Sequence, residues 1–69
     1  MKISTWNVNS VNARIEHLEK FIKKDQSDIY LLQELKTIED GFPKEIIKNA
    51  GYYSYVNGQK AWNGVAILS

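Results

Sequence analysis

The chain has 69 residues, enough for one small domain, and a domain of that size buries only about 60% of the surface its unfolded form exposes. It contains no cysteine and a single histidine, which excludes a disulfide framework or a cysteine/histidine metal cluster as a source of extra stability. Nine basic residues against eight acidic ones leave a net charge of +1, so any binding of phosphate must come from local placement, not bulk charge. Met1-Lys2 leads straight into polar Ser4-Thr5, with no apolar signal region and no spanning run. The expectation is an ordered cytoplasmic protein without a membrane partner.

Residues Lys2 to Trp6 carry the β-branched and aromatic side chains of a strand, and Asn7 to Ser10 supply a polar break after it. Ser10 is a good N-cap. Val11, Ile15, Leu18 and Ile22 then fall on one face at roughly 100° per residue, predicting an amphipathic helix that ends near Asp25. His17 lies off that apolar face, as a surface histidine would. The run Asp28-Ile29-Tyr30-Leu31-Leu32 lacks the alternation of a half-exposed strand and reads as a strand buried on both faces.

Phe42-Pro43 opens a second, shorter helix carried by Ile46 and Ile47 and stopped at Gly51. Tyr52 to Val56 alternates as a strand, Asn57-Gly58 begins a turn, and Gly64 to Leu68 returns as another strand. The fold class is α/β: a β-α-β unit, a short helix and a hairpin. Ser69 follows an apolar strand directly, so the sheet is expected to lack a second covering layer and the isolated chain to be loosely packed or prone to associate through strand edges.

The carboxyl ends of two parallel strands lie on one edge of their sheet, where open α/β sheets bind ligands. Asn7 and Glu34 end those strands and are expected to meet. An acid at the end of a buried strand needs a positive partner. Mg²⁺ is one candidate, since it prefers carboxylate oxygen and keeps waters that phosphate can replace. Lys36, two residues away, is the other. Asn7 and Asn9 read equally as turn formers, because asparagine readily bonds its own backbone.

The segments "TWNVNSVNAR", "LLQELK", "FP", "GYYSYVNGQK" and "NGVAILS", in this order, resemble the exonuclease III branch of the endonuclease/exonuclease/phosphatase family, which includes enzymes that cut DNA at abasic sites. The resemblance covers residues 1–69 without an internal boundary and corresponds to the amino-terminal part of the family domain. It implies an incomplete two-sheet α/β sandwich of the DNase I-like fold. It also implies Mg²⁺-dependent hydrolysis of DNA phosphodiesters at abasic sites and 3′ ends, with Mn²⁺ as an alternative ion.

Carried over residue by residue, the resemblance makes Glu34 the main metal ligand and Asn7 a catalytic residue of the phosphate and metal pocket as well as a weaker metal ligand. Asn9 would touch metal through water. Ser10, Asn12 and Ala13 fall where relatives approach a DNA phosphate, and Lys60 and Trp62 would add a phosphate contact and a ring against the DNA. Two positions depart from the family pattern: Asn12 stands where relatives commonly have arginine, and Leu35 where threonine is usual. No nucleophile or general base is expected within these residues. The implied partners are double-stranded DNA with abasic sites or 3′ ends and the carboxyl-terminal remainder of the domain. Two alternatives are an inactive product of a split or decaying nuclease gene and another phosphodiesterase or phosphatase of the superfamily.

Overall fold

A computed structural model of the chain describes residues 1–58 and 63–69. Strand β1 (Ile3–Asn7) is followed by helix α1 (Ile15–Asp25) and strand β2 (Ile29–Gln33). A single 3₁₀ turn (Glu39–Gly41), helix α2 (Lys44–Asn49) and the strands β3 (Ser54–Asn57) and β4 (Val65–Leu68) complete the order. The sheet runs β1-β2-β4-β3, with β1 parallel to β2 and the other pairs antiparallel. The predicted β-α-β unit and hairpin are both present. No helix is long and apolar enough to cross a membrane among the described residues.

Both helices pack on one face of this sheet. Leu18 and Ile22 of α1, Ile47 of α2, and Tyr30, Leu32, Ala66 and Leu68 of the strands form one buried cluster with Val8, Val11, Leu35 and Phe42. Four rings link the elements edge to face, Trp6 to Phe21 at 5.8 Å, Phe21 to Tyr30 at 6.0 Å and Tyr30 to Tyr52 at 5.3 Å. Such edge contacts add to the area the rings bury. Helix α2 ends in a Schellman motif, with Gly51 at φ +100° and the N–H groups of Gly51 and Tyr52 donating to the carbonyls of Lys48 and Ile47. Only glycine takes that backbone conformation without strain, which is why α2 stops there.

Two expectations are corrected. Strand β2 is not buried on both faces: Tyr30 and Leu32 are buried, but Leu31 between them is 36% exposed, because both helices lie on the Tyr30 side. Ser10 does not cap α1 either. Its N–H donates to the Glu34 carbonyl at 2.9 Å and that of Val11 to the Leu35 carbonyl at 3.0 Å, so the chain still runs beside the end of β2 at residues 10 and 11. The helix begins only at Ile15.

At the amino-terminal pole, Asp25 gathers several donors. Its carboxylate pairs with Lys2 Nζ at 2.8 Å and accepts hydrogen bonds from the hydroxyls of Tyr30 at 3.0 Å, Ser4 at 3.2 Å and Ser27. Tyr52 extends the cluster by donating to the Ser27 carbonyl at 2.5 Å. The Lys2 ammonium and then the Ser27 hydroxyl hold the Asp25 carboxyl well below the usual carboxylate range, and the same contact raises Lys2. A depressed acid stabilises the fold fully above its unfolded value, and that contribution is lost as the pH falls toward the folded value. Thermal midpoints of the wild type should therefore fall steadily below about pH 4. Asp25→Asn should be less stable at neutral pH and change less over the same acid range; parallel acid limbs would contradict this role.

Candidate active site

The first strand pair continues past its formal ends. The Val8 N–H donates to the Gln33 carbonyl at 3.0 Å, and the bonds from Ser10 and Val11 carry the pairing to Leu35. On the other side, the N–H groups of Leu35 and Lys36 donate to the carbonyls of Gly64 at 3.3 Å and Asn63 at 3.2 Å. The segments 7–11 and 33–36 are thereby fixed beside each other, with residues 63–64 flanking the second. Gly58 lies against the backbone of residues 37–39: a Cβ there would collide with the Thr37 carbonyl oxygen and sit 2.9 Å from the backbone of Ile38 and Glu39, an approach only glycine allows.

Within this frame Asn7 Nδ2 donates to Glu34 Oε2, joining the two strand ends as the topology predicts. Asn7 Oδ1 accepts from the Asn9 N–H at 3.1 Å. Asn9 Oδ1 in turn accepts from Lys36 Nζ at 2.5 Å. The ammonium of Lys36 thus meets Asn9, while the Glu34 carboxylate meets an amide. Asn9, Ser10, Glu34 and Lys36 have φ of +47°, +81°, +54° and +56°, and of the described non-glycine residues only Gln26 joins them at positive φ. Strain of this kind persists where surrounding bonds over-determine the backbone, and it concentrates at functional sites.

Glu34 Oε1 has no hydrogen-bond donor among the described residues. Oxygen from a carboxylate suits Mg²⁺, which needs one or two carboxylates and otherwise keeps water, so the donor set fits one side of such a site. Among the described residues no group of three histidine, cysteine, aspartate or glutamate side chains converges on a metal position. His17 stands apart, on a groove it lines with Thr5, Trp6 and Phe21.

The residues expected near DNA are distributed unevenly. Asn12 Nδ2 donates to the Gly41 carbonyl at 3.1 Å, tying the approach to α1 to the 3₁₀ turn. Ala13 is exposed and Ser10 half-buried. With the Ser10 and Val11 N–H groups bonded to the end of β2, those of Asn12 and Ala13 are the open ones in this turn among the described residues. Leu35, where threonine is usual in the family pattern, is fully buried in the core. Lys60 and Trp62 lie outside the described residues.

Residues 4–69 match the model of the Endonuclease/Exonuclease/phosphatase family. The chain belongs to that family. Among curated members it is 44% identical over all of its length to exodeoxyribonuclease III of Haemophilus influenzae, of which it covers 26%. Among solved structures it superposes over its whole length on an AP endonuclease from Archaeoglobus fulgidus with a TM-score of 0.97 at 38% identity, covering 27% of that chain. The 3′-5′ exonuclease NExo of Neisseria meningitidis gives 0.95 at 45% identity and the same coverage. A structure of NExo as a 3′ phosphatase bound to product DNA hairpin gives the same values. The chain thus spans about a quarter of these relatives' length, and the fold is the amino-terminal β-α-β unit, short helix and hairpin of the endonuclease/exonuclease/phosphatase domain.

Sequence reasoning brought Asn7 and Glu34 together. It missed the contact between Lys36 and Asn9, because proximity in sequence pointed Lys36 at Glu34. A signal was present in the pair of asparagines two residues apart, which offers an acceptor as well as a turn former.

Proposed function

We propose that these residues carry part of the catalytic centre of a divalent-metal-dependent DNA nuclease, hydrolysing phosphodiesters at abasic sites and at 3′ ends. The observation that carries the reading is the pairing of Asn7 with Glu34 at the carboxyl edge of the β-α-β unit, with Glu34 Oε1 open among the described residues. The names of the relatives, exodeoxyribonuclease III, AP endonuclease and 3′-5′ exonuclease, support the substrate class.

Glu34 is the residue that would hold Mg²⁺ or Mn²⁺, with Asn7 fixing its second oxygen and Asn9 a weaker contributor through water. When bound, the ion polarises a phosphoryl oxygen and steadies a leaving oxygen. The asparagines keep the carboxylate in place without adding negative charge beside a phosphodiester. Ser10, Asn12 and Ala13 form the phosphate-facing turn in this reading, and Lys60 and Trp62, outside the described residues, are the further candidates for contact with DNA. Asn12 brings no charge, so one phosphate contact and part of the salt-dependent affinity are absent. The group that activates water is supplied from outside these residues, as are further carboxylates.

Titrating Mg²⁺ into the ¹⁵N-labelled chain tests the assignment of Glu34. Weak, saturable amide shifts are expected at residues 7–9 and 33–36, and Glu34→Gln should abolish them. Equal shifts in both proteins would remove Glu34 from the metal site.

A further inference from the structure

We propose that Lys36 is a positioning residue for this site, acting on Glu34 through Asn9 and Asn7. Three consecutive hydrogen bonds make the path: Lys36 Nζ to Asn9 Oδ1 at 2.5 Å, the Asn9 N–H to Asn7 Oδ1 at 3.1 Å, and Asn7 Nδ2 to Glu34 Oε2. Each partner is fixed by something else as well. The Lys36 N–H is bonded to the Asn63 carbonyl, the backbones of Asn9 and Lys36 are both left-handed, and Asn7 closes β1 in register with Gln33.

An amide side chain such as Asn7 is nearly symmetric in shape but opposite in polarity at its two ends. With its oxygen held by the Asn9 N–H, its nitrogen is committed to Glu34 and cannot flip to present an oxygen to the carboxylate. The Asn9 N–H is aimed by the turn at residues 8–10, and Lys36 pins that turn by gripping the Asn9 side chain. Charge-assisted bonds are stronger than neutral ones, so the series is anchored firmly at both ends, by the Lys36 ammonium and by the Glu34 carboxylate, and the neutral Asn9-to-Asn7 bond between them is its weak step. The ammonium takes one lone pair of the Asn9 oxygen and leaves the other for a contact through water. Lys36 therefore shapes how Glu34 is presented and fixes the direction in which Asn9 faces the site.

The inference rests on the reading of Glu34 as the residue that meets the metal, and the test separates the two. The side-chain amide resonances of Asn7 and Asn9 are followed in the ¹⁵N-labelled chain, first without metal and then with Mg²⁺. Without metal, Lys36→Met should shift both sets, and Lys36→Arg should restore the Asn7 resonances. Asn9→Ala should produce the same shift at Asn7, and the double variant should shift Asn7 no further than Asn9→Ala alone, since the two act in series. With Mg²⁺, Lys36→Met should weaken the response at Glu34 about tenfold, the usual effect of losing an outer partner of a ligand. Asn7 resonances that ignore both Lys36→Met and Asn9→Ala would overturn the proposal. Asn7 shifts as expected in a chain that shows no Mg²⁺ response at all would uphold the relay and remove the metal reading.

Discussion

Leu32→Ala is expected to lower the stability of the chain by about 3 kcal/mol, the middle of the range for emptying a buried leucine site. Leu32 is 1% exposed in the central strand β2, aligned with Trp6 on one side and Ala66 on the other. Single domains are stable by only roughly 0.05–0.15 kcal/mol per residue, so a chain this short has little to spare. The neighbouring Leu31 provides the contrast. It points to the opposite face, is 36% exposed, and Leu31→Ala should move the urea midpoint much less. Urea titrations followed by far-ultraviolet circular dichroism measure both. Equal midpoint shifts would mean that the two faces of β2 are not as unequally covered as the packing of α1 and α2 requires. The effect reaches the site, because Glu34 sits two residues beyond Leu32 and unfolding separates it from Asn7.

The same strand shows what the sequence makes legible and what it conceals. Periodicity in Ile15, Leu18 and Ile22 marked α1, where Leu18 and Ile22 are buried and Ile15 packs against the core, while Val11, expected on the same helical face, is buried ahead of the helix beside the end of β2. A continuous apolar run in Asp28 to Leu32 specified a strand, but the same letters serve for a strand covered twice or once. Which holds depends on where both helices go, and no local pattern records that. The end of the first strand was harder still. Ser10 has the composition of a cap, yet backbone bonds from residues 8–11 to residues 33–35 hold it outside the helix, and those bonds are long-range.

The Asp25 cluster was illegible for a related reason: Lys2, Ser4, Asp25, Ser27, Tyr30 and Tyr52 come from both ends of the β-α-β unit and from the approach to β3. The meeting of Asn7 with Glu34 was accessible because it follows from parallel strands and from nothing finer. The reach of Lys36 to Asn9 depends on left-handed backbone at both residues, a conformation that asparagine tolerates at position 9 but that nothing in the sequence announces at Lys36.

The 69 residues alone are expected to leave abasic-site DNA uncut, and to cut it when a second polypeptide supplies the remainder of the family domain. Hydrolysis of a phosphodiester needs an oriented water and a base besides a metal, and general acid–base help is typically worth about 10²–10⁴-fold. Glu34 cannot both ligate the ion and activate water, and among the described residues no cluster of acids or histidines joins it. The sheet offers the means of assembly. On the face away from the helices, Thr5, Leu31, Ile67 and Tyr55 form one row across all four strands, and the next row, Asn7, Gln33, Val65 and Asn57, borders the site. Tyr55 is 62% exposed and Ile67 45%, so a layer laid on this face buries apolar surface beside Glu34 in the same step that brings further ligands. The measurement is incision of a duplex with one abasic site in Mg²⁺, by the chain alone, by the chain mixed with a separately produced carboxyl-terminal fragment of a relative, and by the same mixture carrying Glu34→Ala. Incision is expected only in the mixture with the native glutamate. Robust cutting by the 69 residues alone, lost in Glu34→Ala, would place the missing base within them.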